Sequence, residues 1–379
     1  MTLDSWADET LAGIHARGTY RRMRVLDGAQ GPRMRMAERE VVLFAGSNYL
    51  DLAHHPAVVQ ASIEAAQQQG CAAGGSRLIS GNLVEHEALE AELAAFFGRE
   101  AGLTFNTGYM ANVGVIPALL RPGDLLVSDA LSHASIIDGA RLSRAEVSVF
   151  RHNDIDQLET ILAAPRPQGQ RVLVAIDGLY SMDGDLAPAG LITELAHRHG
   201  AAVLLDDAHG TGTLGARGRG SAEVAGVMGK VDILMGTLGK SLGSFGAFVV
   251  GSHKLRELLV NTARSFIFSC ALAPPQVAAA RAALALIDTE PERRHALQAG
   301  ATRLRSRLAE HGIDTAPSTT HIVPVVIGSN AATMKACEAL LERGFYAQGI
   351  RHPSVPEGTA RLRITPMASH RPEEIDAMA

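Results

Sequence analysis

The sequence predicts an α/β protein with a large, mostly parallel sheet and a small C-terminal α+β domain. From Val41 onward, short apolar stretches alternate with stretches of helical apolar spacing, which is typical of parallel strands connected by helices. After Arg293 the pattern changes to two helices and two strands. We therefore expect residues 1–40 to form an N-terminal helix and connector that pack with the small domain, residues 41–285 the large domain, and residues 286–379 the small domain.

The elements of both domains follow from their apolar patterns. Short apolar runs predict strands at residues 102–105, 125–128, 146–150, 172–177, 202–206, 233–236 and 247–250. Helical spacing predicts helices at residues 3–17, 83–97, 187–199 and 254–262, and a long helix that starts at Pro275. The small domain is predicted to contain a helix to Leu308, strands at 322–327 and 361–365, and a helix at 331–343. The chain ends at Ala379 within a predicted helix, so we expect the natural C-terminus to extend further.

Composition and charge exclude several classes of protein. With 379 residues, 46% of them apolar, the chain can build a large core and is not expected to be disordered. The net charge of −5 argues against nucleic acid or an anionic membrane as the main partner. No apolar run reaches the roughly 18 residues of a membrane span. The three cysteines lack metal-ligand spacing, so we expect a reducing, cytoplasmic location and no metal site.

Lys240 is the most informative residue of the sequence. It lies in a glycine-rich stretch between the apolar runs at 233–236 and 247–250. A lysine is strongly hydrated, so its position between two buried strands indicates that its amine is used. A desolvated lysine is a good nucleophile that forms a Schiff base with an aldehyde such as that of pyridoxal 5'-phosphate (PLP). A surface lysine in a turn, the simpler interpretation, fits this context poorly.

Acids and a histidine follow the apolar run at 202–206. Asp206 and His209 lie at the C-terminal end of a predicted strand, where open α/β sheets place their ligands. An acid there can keep a pyridine nitrogen protonated, which makes the PLP ring an electron sink. Asp207 is the competing acid, and its alternative is a solvated turn or a loop hydrogen bond. For His209 a structural role is nearly as well supported as a catalytic one, and the pairing with Lys240 favours the PLP site.

Two glycine-rich motifs resemble nucleotide-binding loops, but each lacks a feature that nucleotide binding requires. Residues 236–241, GTLGKS, resemble a phosphate-binding loop, yet the position where a Walker motif needs its first glycine is Leu234. Residues 210–215, GTGTLG, match GxGxxG after a strand. The residues that follow, ARGRGSAE, do not open a helix, so a dinucleotide pyrophosphate would lack a helix N-terminus. We therefore interpret residues 210–215 as a glycine-rich loop near the cofactor.

Two further strand-to-helix junctions provide candidate cofactor contacts. His133 follows a strand and precedes a helix, where a flat ring can stack on a planar cofactor. The alternative is that Ser132 caps the helix and His133 has only a structural partner. Residues 106–112, NTGYMAN, also join a strand to a helix. The backbone N–H groups at that helix start, with the Thr107 hydroxyl, suit a phosphate.

Taken together, these residues resemble the α-oxoamine synthase family of fold-type I PLP enzymes, and most closely its branch in biotin biosynthesis. The resemblance runs from about Gly18 to the C-terminus. Several motifs in family order are far more specific than any one of them. They are SNYLDL (47–52), GGSRLISGN (74–82), SHAS (132–135), YSMDGDLAP (180–188), DDAHGTG (206–212), TLGKSLG (237–243), FIFS (266–269) and RLRIT (361–365).

The resemblance implies a role for each residue around the cofactor ring. Lys240 would bind PLP covalently, and Asp206 would contact the pyridine nitrogen. His209 and Ser181 would lie near the phenolic oxygen, and His133 would stack on the ring.

A phosphate site is implied as well. Gly108, Tyr109 and Thr237 would form it beside Thr107, helped by Ser269 from a second subunit. The family therefore implies a homodimer of two intertwined subunits with the site at their interface.

The implied reaction is the decarboxylative condensation of L-alanine with pimeloyl-CoA or pimeloyl-carrier protein, with release of CoA and CO2. Asn48 and Arg363 would hold the amino-acid carboxylate. The acyl chain would lie along residues 74–82, which include Ser76 and the apolar Leu78, and its far carboxylate could meet Arg21 of the basic connector. A solvated surface run is the alternative for that connector.

Other functions stay open at this point. Another member of the family would use glycine with acetyl-CoA or succinyl-CoA, or serine with a long acyl chain. A protein of this fold without catalytic activity, acting as a scaffold, is the third possibility. Asp51 and His352 stand where the family usually has glycine and proline, and Asp177 stands where some members have glutamate. We expect Asp51 to lie in a turn, Asp177 to be a modest change, and His352 to alter a detail of the acyl pocket.

Overall fold

A computed structural model describes residues 2–379. Its helices are α1 (Leu3–Ala16), α2 (Pro56–Gln69), α3 (Val84–Phe97), α4 (Gly108–Leu119), α5 (Ala134–Ser143), α6 (Ile155–Ala163), α7 (Ala189–Arg198), α8 (Ser221–Val224), α9 (His253–Thr262), α10 (Arg264–Ile267), α11 (Pro274–Thr289), α12 (Pro291–Glu310), α13 (Asn330–Glu342) and α14 (Pro372–Met378). Its strands are β1 (Arg33–Met36), β2 (Arg39–Leu43), β3 (Ala101–Phe105), β4 (Leu125–Asp129), β5 (Glu146–Phe150), β6 (Val172–Asp177), β7 (Ala202–Asp206), β8 (Ile233–Thr237), β9 (Ala247–Gly251), β10 (Val323–Gly328), β11 (Phe345–Tyr346), β12 (Gln348–Ile350) and β13 (Ala360–Ile364).

Seven strands form the central sheet in the order β3-β9-β8-β7-β6-β4-β5. All neighbouring pairs from β8 to β5 are parallel, and only β9 runs antiparallel to its neighbours β3 and β8. Every residue of β3, β4, β6, β8 and β9 is buried, as expected for a sheet with helices on both faces. The predicted α/β fold with a seven-stranded, mostly parallel sheet is confirmed.

Parallel pairing brings polar strand ends to one edge of this sheet. Asp129, Asp177 and Asp206 are the last residues of β4, β6 and β7, and Thr237 is the last residue of β8. Asp177 is the register partner of Asp206. Because the carboxyl ends of parallel strands lie at the same edge, this edge collects acids and a hydroxyl where open α/β sheets bind ligands.

The described chain divides into two compact units. The larger unit comprises residues 48–181 and 185–295, and the smaller unit comprises residues 2–47, 182–184 and 296–379. The sequence placed the boundaries at 40 and 285, and it did not anticipate that residues 182–184 belong to the smaller unit.

The smaller unit contains two three-stranded sheets. Strands β1, β2 and β11 form one, and β10, β13 and β12 form the other in that order. Leu362 and Ile364 of β13 pack into a core with residues of α12, β2 and β10, whereas Arg361 and Arg363 occupy the alternate positions of the strand. All five residues of β13 are buried.

The β1–β2 hairpin was not predicted. Its turn residues Ala37 and Glu38 have φ values of 47° and 67°. Two left-handed residues are typical of the tight turn of a two-residue hairpin, for which Asn-Gly is the usual signal. Because Ala-Glu carries no such signal, the sequence placed residues 33–34 in a connector.

No helix between residues 2 and 379 combines the length and the apolar composition that a membrane crossing requires.

Candidate active site

Lys240 lies in the loop that joins the buried strands β8 and β9, as the sequence predicted. The loop has a fixed conformation, since the Gly243 N–H donates to the Lys240 carbonyl at 3.0 Å and Ser241 Oγ donates to the Thr211 carbonyl at 2.5 Å. Gly243 has a φ of 56°, and a Cβ there would come within 2.4 Å of the Ala53 nitrogen. The backbone that carries Lys240 is therefore held by contacts that only glycine allows at residue 243.

Asp206 is almost fully buried at the end of β7 and has defined hydrogen-bond donors. Its Oδ2 accepts from Nδ2 of Asn112, a residue of α4, at 2.8 Å. Its Oδ1 accepts from the Ala208 N–H at 3.1 Å. A buried carboxylate is costly unless such donors are present. These contacts therefore hold Asp206 in one orientation at the ligand-binding edge of the sheet.

The hydrogen bonds continue from Asp206 to His133. Asn112 Nδ2 also donates to Ser135 Oγ at 2.8 Å, so both of its hydrogens are used. Ser135 Oγ lies 2.7 Å from His133 Nδ1, and the Ser135 N–H donates to the same nitrogen at 3.2 Å. Because His133 Nδ1 accepts from a backbone N–H, the ring proton belongs on Nε2. Burial lowers the pKa of His133, Asp206 opposes this change, and Lys240 adds to it.

Asp177 is the neighbour of Asp206 on the adjacent strand, and it is a buried acid with a raised pKa. Its Oδ2 accepts from the His133 backbone N–H at 2.9 Å, which fixes the start of α5. Burial raises the pKa of Asp177 well above its usual value, and the charge of Asp206 raises it further. Asp177 therefore holds a proton more readily than an exposed aspartate does, and the edge of the sheet avoids two adjacent buried charges.

Asp207 is fully buried, so the solvated turn considered for it is wrong, and the alternative of a loop hydrogen bond is confirmed. Its Oδ2 accepts from the Ser221 N–H at 2.7 Å. Its carboxyl oxygens also occupy the space that a Cβ at Gly210 or Gly220 would fill. Asp207 is thus enclosed by the glycine-rich loop that follows β7. Burial raises the pKa of Asp207 to about 7, and hydrogen bonds from Ser221 oppose the increase.

His209 pairs with a residue that was not predicted as part of the site. Its Nδ1 lies 2.7 Å from the hydroxyl oxygen of Tyr49, which is fully buried. Tyr49 belongs to the SNYLDL motif, whereas the sequence singled out only Asn48 from that stretch. Ser181 is half-buried. It belongs to the larger unit, and the three residues that follow it belong to the smaller unit.

The N-terminus of α4 adjoins the end of β8. Thr107 caps the helix, since its Oγ1 accepts from the Met110 N–H at 3.1 Å. A Cβ on Gly108 would lie 2.8 Å from Thr237 Cγ2, so the absence of a side chain lets the helix start approach β8. Thr237 Oγ1 donates to the Ala208 carbonyl at 3.1 Å. The Tyr109 hydroxyl donates to Asp138 at 2.7 Å.

Asn48 uses its side chain within its own turn. Its Oδ1 accepts from the N–H groups of Leu52 and Ala53, each at 3.1 Å, and its Nδ2 donates to Asp51 at 3.1 Å. Asp51 has a φ of 56°, which explains why glycine is suited to this position, and its place in a turn is confirmed. The structure thus gives Asn48 a turn-forming role that the sequence did not predict.

Two predicted contact segments lie side by side in the larger unit. Ser76 and Cys270 form an antiparallel backbone bridge, which joins residues 74–82 to the stretch that contains Ser269. Ser269 Oγ donates to the Ser265 carbonyl at 2.8 Å. Leu78, expected to line an acyl pocket, is 49% exposed in this chain.

Arg363 and Arg21 belong to the smaller unit. Arg363 is buried in β13, where it is the register partner of Pro324 and Gln348. Arg21 lines a cavity of about 430 Å³ together with Arg22, Arg24, Arg351 and His352. Glu338 also lines it and pairs with Arg24. The cavity is therefore strongly basic.

Several functional candidates were missed by sequence reasoning, chiefly Asn112, Ser135 and Tyr49. Asn112 had a usable signal, because a polar residue within the apolar helix 108–119 needs a buried partner. Ser135 and Tyr49 had none beyond their membership of family-like motifs.

Comparison with known proteins gives consistent results. The model of the family described as aminotransferase class I and II matches residues 39–379. An 8-amino-7-oxononanoate synthase of Geobacter sulfurreducens is 50% identical over 97% of this chain and 94% of its own length. One from Geotalea daltonii is 48% identical with the same coverage. A structure of serine palmitoyltransferase from S. paucimobilis with a PLP–myriocin aldimine has a TM-score of 0.94 at 33% identity, covering 100% of this chain and 96% of that one.

We expect Asp207 to make stability depend on pH. In the unfolded chain an aspartate has a pKa of about 3.9. The folded pKa of about 7 is higher, so unfolding releases a proton between these values and stability falls as pH rises from about 4 to 7. Asp207→Asn lacks this titration, and its melting temperature relative to that of the unmodified protein should rise from pH 4.5 to pH 7.5. Asp156→Asn, at an exposed site, should show no such trend. A pH-independent difference for Asp207→Asn would contradict the assignment.

Proposed function

This chain belongs to the class I and II aminotransferase family of PLP-dependent enzymes, and on that premise we propose that it condenses L-alanine with a pimeloyl thioester. The products are 8-amino-7-oxononanoate, CO2 and the released thiol, and the reaction is a step of biotin biosynthesis. The observation that carries the chemistry is the buried Asp206, held by Asn112 in the same unit as Lys240. The choice of substrates rests on the relatives, which are 45–50% identical over almost the whole chain.

The residues of the larger unit fit PLP. Lys240 offers an amine for the aldehyde, and Asp206 offers a carboxylate for the pyridinium N–H. The start of α4 offers backbone N–H groups for the phosphate, and the space that a Cβ on Gly108 would fill adjoins Thr237. Asn112 Oδ1 is buried without a hydrogen-bond partner from the described residues. The site therefore contains a polar atom whose hydrogen bond the protein itself does not provide.

When bound, PLP withdraws electrons from the α-carbon of the substrate. The Lys240 amine would hold the cofactor, and once the substrate has replaced it there, the free amine would accept the α-proton. Asp206 would keep a proton on the pyridine nitrogen, and the hydrogen bond from Asn112 holds the Asp206 carboxylate in place. The neutral imidazole of His133 is suited to stack on the ring. His209, held by Tyr49, and Ser181 would contact the phenolic oxygen.

The substrate carboxylate needs a cation, and we assign it to Arg363. This guanidinium is buried in β13 and offers the paired donors that suit a carboxylate. Asn48 would assist only through its NH2 group, because its carboxamide oxygen already accepts two backbone N–H groups. Arg21 and its basic cavity would receive the far carboxylate of the pimeloyl chain, whether the thioester is on CoA or on a carrier protein.

A homodimer is the proposed assembly. Leu78, Ile79 and Phe268 are 49%, 84% and 69% exposed, and the Ser76–Cys270 bridge brings their two segments together. Adjacent exposed apolar side chains of this size indicate a surface that another protein covers. A second copy of the chain would cover them, and Ser269 would then contribute to the phosphate site of that copy.

The remaining candidates have weaker support. The solved serine palmitoyltransferases are 33–34% identical, below the 45–50% of the named oxononanoate synthases. A function with glycine and acetyl-CoA or succinyl-CoA would rest on the same proposed cofactor residues, and the choice of thioester would distinguish it from this proposal. A scaffold without activity would have no use for Lys240, Asp206 and Arg363 together.

We expect borohydride reduction of the holoenzyme to label Lys240. The chain has four lysines, at positions 230, 240, 254 and 335, so peptide mapping identifies the labelled one without ambiguity. Lys240→Ala should lose turnover while it still binds PLP non-covalently, because the phosphate and ring contacts remain. Lys254→Ala serves as the matched control and should be labelled normally. A pyridoxyl group on any other lysine would refute the assignment.

The acyl specificity is tested by competition among thioesters. With alanine as acceptor, pimeloyl-CoA should outcompete succinyl-CoA and acetyl-CoA, because five methylenes can pack along the apolar Leu78. A short dicarboxylate would bring its charge to this side chain, where no partner is expected. Leu78→Asn should shift the preference toward succinyl-CoA, measured as CoA release. A preference for succinyl-CoA with glycine in the unmodified enzyme would exclude the biotin assignment and leave the PLP chemistry intact.

A further inference from the structure

His152 lies between two loops that follow parallel strands of the larger unit. It comes two residues after β5. Asp129 ends the neighbouring β4, and Asp185 lies in the loop that follows β6. His152 was not among the residues that the sequence or the family resemblance singled out.

Each nitrogen of the His152 ring meets a different carboxylate. Nδ1 lies 2.9 Å from Asp129 Oδ1, and Nε2 lies 2.8 Å from Asp185 Oδ2. The ring also packs edge-on against Tyr180, with centroids 4.4 Å apart and planes at 90°. Ionised carboxylates accept hydrogen bonds and do not donate, so these two contacts favour a proton on each ring nitrogen. Asn153 Nδ2, which lies 3.3 Å from Nε2, donates to Asp185 Oδ2 at 3.0 Å. His152 is therefore an imidazolium bonded to two loops.

The charge balance around His152 supports this state. Burial lowers the pKa of His152, but the hydrogen bonds and charges of Asp129 and Asp185 outweigh it and raise the pKa to about 10. The ring therefore keeps its charge at neutral pH, and both hydrogen bonds are charge-assisted on both sides.

Asp129 fixes the turn that leads to His133. Its Oδ1 also accepts from the Leu131 N–H at 2.7 Å, and its Oδ2 accepts from the Asn153 N–H at 2.8 Å. The Ser132 N–H donates to the Asp129 carbonyl at 3.1 Å. Three residues lie between Asp129 and His133, and two of them, Leu131 and Ser132, are held by these contacts.

Asp185 fixes the loop that carries Ser181. Its carbonyl accepts from the Tyr180 N–H at 3.0 Å, and Leu179 and Leu186 form a backbone bridge beside this bond. Ser181 directly follows Tyr180. His152 therefore contacts both arms of this loop, Asp185 by a hydrogen bond and Tyr180 by ring packing.

We propose that His152 is a positioning residue that sets the places of His133 and Ser181 relative to each other by binding the two loops that carry them. The role rests on the proposed function, in which those two residues contact the PLP ring and its phenolic oxygen. A charged ring between two carboxylates is more directional than apolar packing, because both bonds lie in the ring plane at fixed angles. Glutamine is neutral and carries both N–H donors on one nitrogen, so it cannot place one donor at each carboxylate as the two ring nitrogens do.

The test compares the holoenzymes of His152→Gln and His197→Gln. His197 is a matched control, since its Nε2 also pairs with an aspartate, Asp232, at 2.9 Å, but on an exposed helix end. Two readouts are taken besides thermal unfolding. They are the visible circular dichroism of bound PLP, which reports the ring environment, and the kcat and KM for L-alanine.

For His152→Gln we expect a changed visible dichroism and a kcat/KM lower by roughly 10- to 100-fold, with unchanged far-ultraviolet dichroism. His197→Gln should match the unmodified enzyme in each. Asp185→Asn, which keeps the ring and weakens one bond, should change the visible dichroism in the same direction with a smaller kinetic loss. If His152→Gln does not fold, the visible dichroism and kcat/KM of Asp185→Asn test the proposal instead.

A lower melting temperature in His152→Gln, with unchanged visible dichroism and kcat/KM, would overturn the proposal and leave the cluster with a stabilising role only. An unmodified protein without any visible cofactor band would instead overturn the proposed function, and the two failures are therefore distinguishable.

Discussion

The hydrogen bond from Asn112 to Asp206 is the contact on which the candidate site depends. A carboxylate buried at a strand end pays a large desolvation cost, and it stays in place only where fixed donors compensate for this cost. Asn112 supplies such a donor from α4, and with its second hydrogen it also bonds Ser135, which in turn contacts His133. One carboxamide thus couples the proposed partner of the pyridine nitrogen to the residue proposed to stack on the ring.

The parallel sheet creates an electrostatic problem that the surrounding residues solve in different ways. Acids end three neighbouring strands, and each has its own environment. Asp206 takes donors from an amide and a backbone N–H, and the pKa of Asp177 is raised by burial and by Asp206. Asp129 is matched by the charged ring of His152. Of the three acids, Asp206 is the one that Asn112 contacts, and through Ser135 this hydrogen-bond chain extends to His133.

Much of the fold could be predicted from the sequence, because buried parallel strands are continuous apolar runs. All seven strands of the central sheet were located within a residue or two of their observed ends, and Lys240 was placed correctly between β8 and β9. The β1–β2 hairpin was missed because its Ala-Glu turn lacks the residues that favour left-handed conformations. The contacts of Asn112, Tyr49 and His152 were missed because each joins segments distant in sequence, and no local pattern encodes which buried polar groups meet.

Exchange of the α-hydrogen of L-alanine with deuterated solvent tests the central claim most directly, because it isolates the step that Asp206 is proposed to support. We expect Asp206→Asn to slow this exchange by orders of magnitude, since a neutral amide cannot hold the pyridine nitrogen protonated. Asp207→Asn should slow it far less, because Asp207 is enclosed by its own loop and bonds Ser221. The reverse ranking, or equal rates in the two variants, would contradict the account.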